Sequence, residues 1–308
     1  MTITLILEQI FNGLQAGVTL FLVAAGLTLI LGVMNFVFLA HGAQVMIGAY
    51  AAAAITNATG HFYIGILLAI PLTFISGYLL EYLVIRHLYR RDHMEQVLAT
   101  FGLILFFNEA IRIGFGPAAL FSDLPPSLSG FVEILPGVPY PAFRLWVIVV
   151  GLCCALAIGL LVSRTRTGAM LRAGAENPEM AAALGVNIKR LFRLIFAAGA
   201  TFAGIAGMML GPLTAVQPGM GEPLLILSLV VIIIGGIGSV RGAFIAAIIV
   251  GLVDTVGRVF LPSLLRLFFD QATADGAGPA LASMLVYILM AVILIFRPTG
   301  LFPAKGRE

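Results

Sequence analysis

Apolar residues run along this chain in long stretches broken by short polar or glycine-rich gaps. Nine stretches stand out, at about 10–33, 42–57, 63–85, 96–113, 145–163, 192–212, 224–238, 242–261 and 281–297. A helix that spans a bilayer needs ~20 apolar residues, because the hydrocarbon core is ~30 Å thick. Several of the nine are shorter than that. The weakest boundaries lie at 34–42 and 235–243, where Gly, Asn, His and Arg interrupt the apolar run. The runs lack the period-two alternation of a membrane β-barrel. The pattern predicts an all-α, polytopic helical membrane protein with about 8–10 transmembrane segments, folded as one domain over 1–308.

Composition agrees with that pattern. Hydrophobic residues make up 61% and charged residues 10%, against ~25% charged in a soluble domain. Mean hydropathy is +1.10. So few charges cannot build an aqueous surface. A soluble enzyme, a nucleic-acid binder and a disordered chain are excluded, and the surrounding partner is lipid. The start, Met1 to Leu14, carries Glu8 and no basic region, so it does not read as a cleavable signal; no Lys or Arg precedes Arg86. Cys153 and Cys154 are neighbours in an apolar run, about 100° apart on a helix, which reads as two small core residues rather than a disulfide or metal site.

Charge in the loops sets orientation. Arg86, Arg90 and Arg91 share one short loop with His87 and His93. Arg164, Arg166, Arg172, Lys189, Arg190 and Arg193 fall in 164–193, and Arg297, Lys305 and Arg307 at the C-terminus. The Pro-rich stretch 114–144 carries only Arg144, beside Asp123 and Glu133. With nine crossings the basic loops share one side. That predicts a cytoplasmic 86–95, 164–193 and C-terminus, a periplasmic 114–144 and an outside N-terminus.

Two stretches look alike. Residues 26–53 and 227–251 each show an apolar run, a Gly-rich or polar interruption, a small-residue turn and another small-residue run. The turns are His41-Gly42-Ala43 and Arg241-Gly242-Ala243. Gly-interrupted segments in corresponding positions of two halves point to a translocation site. Two tight loops between ordinary, closely packed helices would give the same pattern.

The longest polar stretch, 164–186, has its own local logic. Asn177 suits a helix cap, Pro178 the first helical position and Glu179 the positive helix start; Gly185 suits a left-handed stop. The short helix between, with Ala181, Ala182, Ala183 and Leu184, has little to bury by itself. It fits a groove on another protein, or a position along the membrane surface held by its arginines.

This stretch resembles the cytoplasmic coupling loop of ABC importer permeases. More narrowly, the chain is similar to the LivH-type permeases of high-affinity branched-chain amino acid importers. Ala40-His41-Gly42 followed by Met46-Ile47-Gly48-Ala49-Tyr50 resembles that family's NFAHG…MLGAY segment. Arg166-Thr167-Gly168 and Leu171-Arg172-Ala173 match its loop entry, and Asn177-Pro178-Glu179 with Ala182-Ala183-Leu184-Gly185-Val186-Asn187 its coupling helix. Gly235-Gly236-Ile237-Gly238-Ser239 with Gly242-Ala243 match a GGxGS…GA segment, and Arg297-Pro298-Thr299-Gly300-Leu301-Phe302 a terminal RPxGLF. The match departs at Phe38-Leu39, where the family has Asn-Phe; Asn35 lies three residues earlier, on a nearby face if helix continues.

The resemblance implies a bacterial inner-membrane permease working by alternating access. Its partners would be two ABC ATPase subunits that carry ATP and Mg, a second permease (LivM-like) or a second copy of itself, and a periplasmic substrate-binding protein. It implies that Glu176, Asn177, Pro178, Glu179, Ala182, Ala183 and Gly185 dock on an ATPase. It also implies that Asn35, Phe38, His41, Gly42, Gln44, Gly235, Gly236, Gly238 and Ser239 line the path. Related permeases carry urea, short-chain amides or sugars, and chain length favours the amino acid type. The residues themselves say that ATP binds elsewhere. A Walker A loop needs Gly-Lys-Ser/Thr, and neither Lys189 nor Lys305 has that setting.

Charges inside the apolar runs are functional candidates by default. Glu109 with Arg112 and Asp254 with Arg258 sit at helical spacings that allow local pairing, and Glu81, about one turn from Arg86 near the cytoplasmic face, can snorkel; structural pairing is expected for all three rather than proton relay. Arg241 and His41 are left as path-lining or anchoring groups. An ion-coupled secondary transporter would want unpaired acids at mid-membrane. A membrane enzyme would want clustered ligands, and His41, His61, His87 and His93 show no metal spacing.

Overall fold

The computed structural model describes residues 3–135 and 137–303; Lys305 and Arg307 lie outside them. The helices are α1 (Ile3–Met34), α2 (His41–Thr59), α3 (Phe62–Leu83), α4 (His93–Phe115), α5 (Ala142–Arg164), α6 (Arg166–Glu176), α7 (Pro178–Ala183), α8 (Ile188–Leu210), α9 (Glu222–Gly235), α10 (Val240–Leu265) and α11 (Gln271–Phe296). Among the described residues seven are long and apolar enough to cross a membrane: α1, α3, α4, α5, α8, α10 and α11. The protein is a polytopic helical membrane protein.

Helices α2 and α9 are different. Each is preceded by a non-helical segment, 35–40 and 211–221, that enters the bundle. Residues 35–40 leave the end of α1 and return inward, so that His41 lies beside Val23 rather than beside Met34. Residues 211–221 start at the opposite end, where Val216 and Leu120 exchange backbone hydrogen bonds of 3.0 and 2.9 Å. They descend until Gly221 meets Gly42. With these two passes the described residues run nine times between the two ends of the bundle.

The ends differ in charge. Arg86, Arg90, Arg91, the 164–193 stretch, Arg241 and Arg297 gather at one end, called the basic end below. Aromatic and ionic contacts knit it together: Tyr89 packs on Phe36 and Phe192, and Arg193 reaches Glu81. Among the described residues the basic side chains of the far end are Arg112, Arg144, Arg258 and Arg266. There the Pro-rich loop forms a small antiparallel hairpin of β1 (Phe131–Leu135) and β2 (Val138–Pro141), which the apolar runs did not foretell. Tyr140 and Arg144 both donate to Asn12 Oδ1, at 3.1 and 2.6 Å, and tie the hairpin to α1.

Helix α1 is the spine of the bundle, packed against α8 and α10. Lipid gives no hydrophobic drive between helices, so close packing of small residues has to hold them. The contacts show it: a Cβ added to Gly17 would come 2.8 Å from Ala247 O, and one on Gly13 2.9 Å from Leu252 Cα. Of the Cys153–Cys154 pair, Cys153 is exposed on the outside of α5, while Cys154 is half-buried and packs against the core around Leu22 and Phe143; both are free thiols.

Candidate functional site

The two look-alike stretches fold differently. Helix α1 stops at Met34 because Asn35 takes φ +49, a left-handed turn that Asn tolerates better than most residues. Asn35 is exposed at the basic end and shares no helical face with Phe38, since the helix does not continue. The rest of the segment is drawn inward by its rings. Phe36 and Phe38 are fully buried. The Phe38 ring lies 4.7 Å from Phe196 and 5.9 Å from His41, centre to centre. Non-helical backbone is tolerated at this depth only inside protein or beside water, and these rings supply the cover.

His41-Gly42-Ala43 is therefore not a turn but the first turn of α2. His41 is fully buried, with Nε2 3.1 Å from the carbonyl of Val23. Gln44 Oε1 accepts a 2.9 Å bond from Ser76 of α3. Both side chains face neighbouring helices. Gly42 faces elsewhere: a Cβ there would lie 2.6 Å from Gly221 O. So α2 and α9 begin back to back, α2 heading for the far end and α9 for the basic end. Gly26 and Gly199 sit at the same level, beside His41. Gly199 is the middle residue of α8, which has 23 residues. The junction is thus at half depth.

The second interruption stays at the surface of the basic end. Gly236 and Gly238 take φ +100 and +84 and make a tight turn. Ser239 Oγ accepts from Gly242 N at 3.1 Å and caps α10. Arg241-Gly242-Ala243 again belongs to the following helix, and Arg241 is exposed there. The last carbonyls of a helix lack internal partners. Those of Ile234 and Gly235 accept from Leu301 and Phe302 N–H at 2.8 and 3.1 Å, which gives the terminal Arg297–Phe302 motif a structural task. The half-depth counterpart of 35–40 in the second half is 211–221, not 235–243.

Of the nine residues expected along a path, Phe38, His41, Gln44, Gly235 and Gly236 are enclosed by this chain. Gly238 and Ser239 are half-buried at the basic end. Gly42 alone borders a narrow crevice at the junction, too tight for a water molecule, together with Met46, Ile104, Asn108, Gly219, Gly221 and Glu222. Sequence reasoning passed over Asn108 and Glu222. The available signal was an acid at the start of an apolar run with no basic residue within helical reach. Asn108 Nδ2 donates to Glu222 Oε1 at 2.6 Å, and Gly219 N donates to Asn108 Oδ1 at 3.0 Å.

Charge pairing is local in two cases and long-range in the third. Arg112 lies 3.9 Å from Glu109 and Arg258 2.9 Å from Asp254, within one helix each. Glu81 does not pair with Arg86, which stacks on Tyr82 instead. Glu81 is 1% exposed and bonds to Arg193 of α8 at 3.0 Å, and Tyr89 OH donates to its other oxygen at 3.0 Å. The guanidinium also lies over the Tyr82 and Tyr78 rings, at 4.8 and 5.1 Å. Burial, then the charge of Glu81, pushes the Tyr89 phenol well above its ordinary range, so it remains a donor. Through the Tyr89–Phe36 contact this cluster joins α3, α8 and the 35–40 segment.

Just before α8 the chain forms a knob. Asn177 Oδ1 accepts from Met180 N at 2.9 Å, Pro178 opens α7, and Gly185 takes φ +88 after it. Ala181 packs inward. Glu176, Asn177, Pro178, Glu179, Ala182, Ala183 and Gly185 are exposed, as are Met180 (60%) and Leu184 (79%), one turn apart. An unforeseen helix, α6, supports it; Leu171 of α6 packs against Leu29 and Val33 of α1 and Leu191 of α8.

A family model described as "Branched-chain amino acid transport system / permease component" matches residues 9–294. The high-affinity branched-chain amino acid transport system permease protein BraD of Pseudomonas aeruginosa is 28% identical over 307 residues, covering 96% of this chain and 95% of that one. LivH of Escherichia coli K12, named as the same kind of permease, is 26% identical over 309 residues, with 96% and 94% covered. A probable LivH of Methanocaldococcus jannaschii is 27% identical over 298 residues, with 92% and 88% covered. No solved structure matches. The matched stretch takes in both interruptions, the half-depth junction and the knob, and the chain belongs to the family of branched-chain amino acid transport system permease components.

Proposed function

We propose that this chain is the membrane conduit of a binding-protein-dependent importer, moving leucine, isoleucine or valine inward by alternating access. It is a transport subunit and not an enzyme; ATP and Mg are bound and used by separate ATPase chains. The observation that carries this reading is the knob at α7. It is capped at both ends, presents Met180 and Leu184 outward, and leads within five residues into α8. Helix α8 is tied by Arg193 to Glu81 and, through Tyr89 and Phe36, to the segment that enters the membrane. A push on the knob therefore has a contiguous route to the half-depth junction. Excess Lys and Arg mark cytoplasmic loops, so the basic end, the knob and the end of α11 face the cytoplasm of a bacterial inner membrane. The far-end hairpin faces the periplasm and the soluble binding protein. A second permease, LivM-like or a second copy, completes the pair. The motion must give the solute different affinities in the outward and inward states.

The test is substitution at the knob. Glu179→Arg and Gly185→Trp should leave the amount of chain in the membrane unchanged and stop leucine uptake, while the ATPases continue to hydrolyse ATP. Uptake at the wild-type rate in both variants refutes the docking role. Uptake that survives ATP depletion and stops with an uncoupler refutes the importer class in favour of ion coupling.

A further inference from the structure

We propose that Glu222, oriented by Asn108, lines the solute path at half depth and takes the ammonium group of the transported amino acid. The assignment rests on the import reading above and adds a residue-level site to it. Its first support is depth. Glu222 follows Gly221, whose backbone lies against Gly42 beside the middle of α8. With ~1.5 Å of rise per residue, the ends of α8 are about 16 Å away on either side. This carboxylate is therefore near the centre of a bilayer.

Its second support is the missing counter-charge. Five other acids within the spanning helices have basic partners: Glu81 with Arg193, Glu95 with Arg91, Glu109 with Arg112, Asp254 with Arg258 and Asp275 with Arg266, while Glu8, also without one, sits near the start of α1 at the far end. Among the described residues Glu222 has none; its only side-chain partner is the neutral amide of Asn108, on one oxygen. That amide is held by the Gly219 N–H, so its NH2 is fixed toward the carboxylate. Glu222 and Pro223 are exposed on the flank of the bundle between α4 and α9. A charged group facing lipid at this depth is costly. Water, or a cation, has to meet it instead.

The third support is the composition of the cleft. Met46 and Ile104 form an apolar wall beside the carboxylate–amide pair, and Gly42 and Gly221 close the cleft by packing backbone to backbone, so the solute enters only when that contact parts. An apolar wall with a few convergent polar groups is the common make-up of a small-molecule site. An ammonium group next to a branched alkyl side chain matches it.

Two measurements test this in the full importer with its ATPases, second permease and binding protein. Glu222→Gln should lower maximal leucine uptake per membrane-inserted permease by roughly tenfold or more, with Glu222→Asp in between. In a background carrying Cys153→Ala and Cys154→Ala, Glu222→Cys should react with a membrane-impermeant, charged methanethiosulfonate. Leucine-loaded binding protein with ATP should slow that reaction. Wild-type uptake by Glu222→Gln, or an introduced thiol that stays unlabelled in inserted protein, overturns the assignment alone. A wild-type importer that moves no amino acid overturns the import reading and this site with it.

Discussion

The interruptions at 35–40 and 236–239 look alike in sequence and are opposites in structure. The first turns back into the bundle and lets α2 begin at half depth. The second is a surface turn, with Ile237 43% exposed, closed by the terminal segment. What separates them is side-chain volume. Phe36 and Phe38 can fill space between α1, α3 and α8, so burying them offsets the cost of carrying extended backbone inward. Gly236 and Gly238 fill nothing but permit positive φ, and a tight turn results. A glycine count alone therefore does not locate a path; what the neighbouring residues can pack does.

The largest test of this contrast is Gly42→Val. Its side chain would displace Gly221 and separate α2 from α9, so no folded permease should accumulate in the membrane, as read by immunoblot and detergent size exclusion. Normal accumulation would mean that the back-to-back junction is not structural. Phe38→Ala comes next. It empties a fully enclosed site and should destabilise the purified protein by about 3–5 kcal/mol in denaturant titration. A cost under about 1 kcal/mol, small for an emptied core site, would show that the ring does not hold the segment inside. Gly238→Ala should be the mildest, about 1–2 kcal/mol from left-handed strain alone. If it costs as much as Phe38→Ala in the same titration, the second interruption is under more constraint than a surface turn.

Much of the fold was legible because membrane crossing demands long apolar runs. All nine predicted runs overlap helices, though the passes of α2 and α9 begin with non-helical backbone. The knob was legible for a local reason. Asn177, Pro178 and Gly185 act within one or two turns of the chain, so their spacing alone shows the cap and the stop. Residues that meet across distance were not legible. Glu81 had Arg86 nearby as a plausible partner but bonds to Arg193, 112 positions away. Asn108 and Glu222 are 114 apart, and no local pattern joins them.

Taken alone, the chain settled that it lives in lipid, which loops carry positive charge and where a short capped helix projects. Those properties depend on composition and on neighbours within a few positions. The tertiary structure decided which interruption enters the membrane, which acid keeps a partner and which is left without one. Each of those depends on backbones meeting at glycines far apart in the chain. Such contacts are set by how closely helices pack, and a one-dimensional pattern carries no record of that distance.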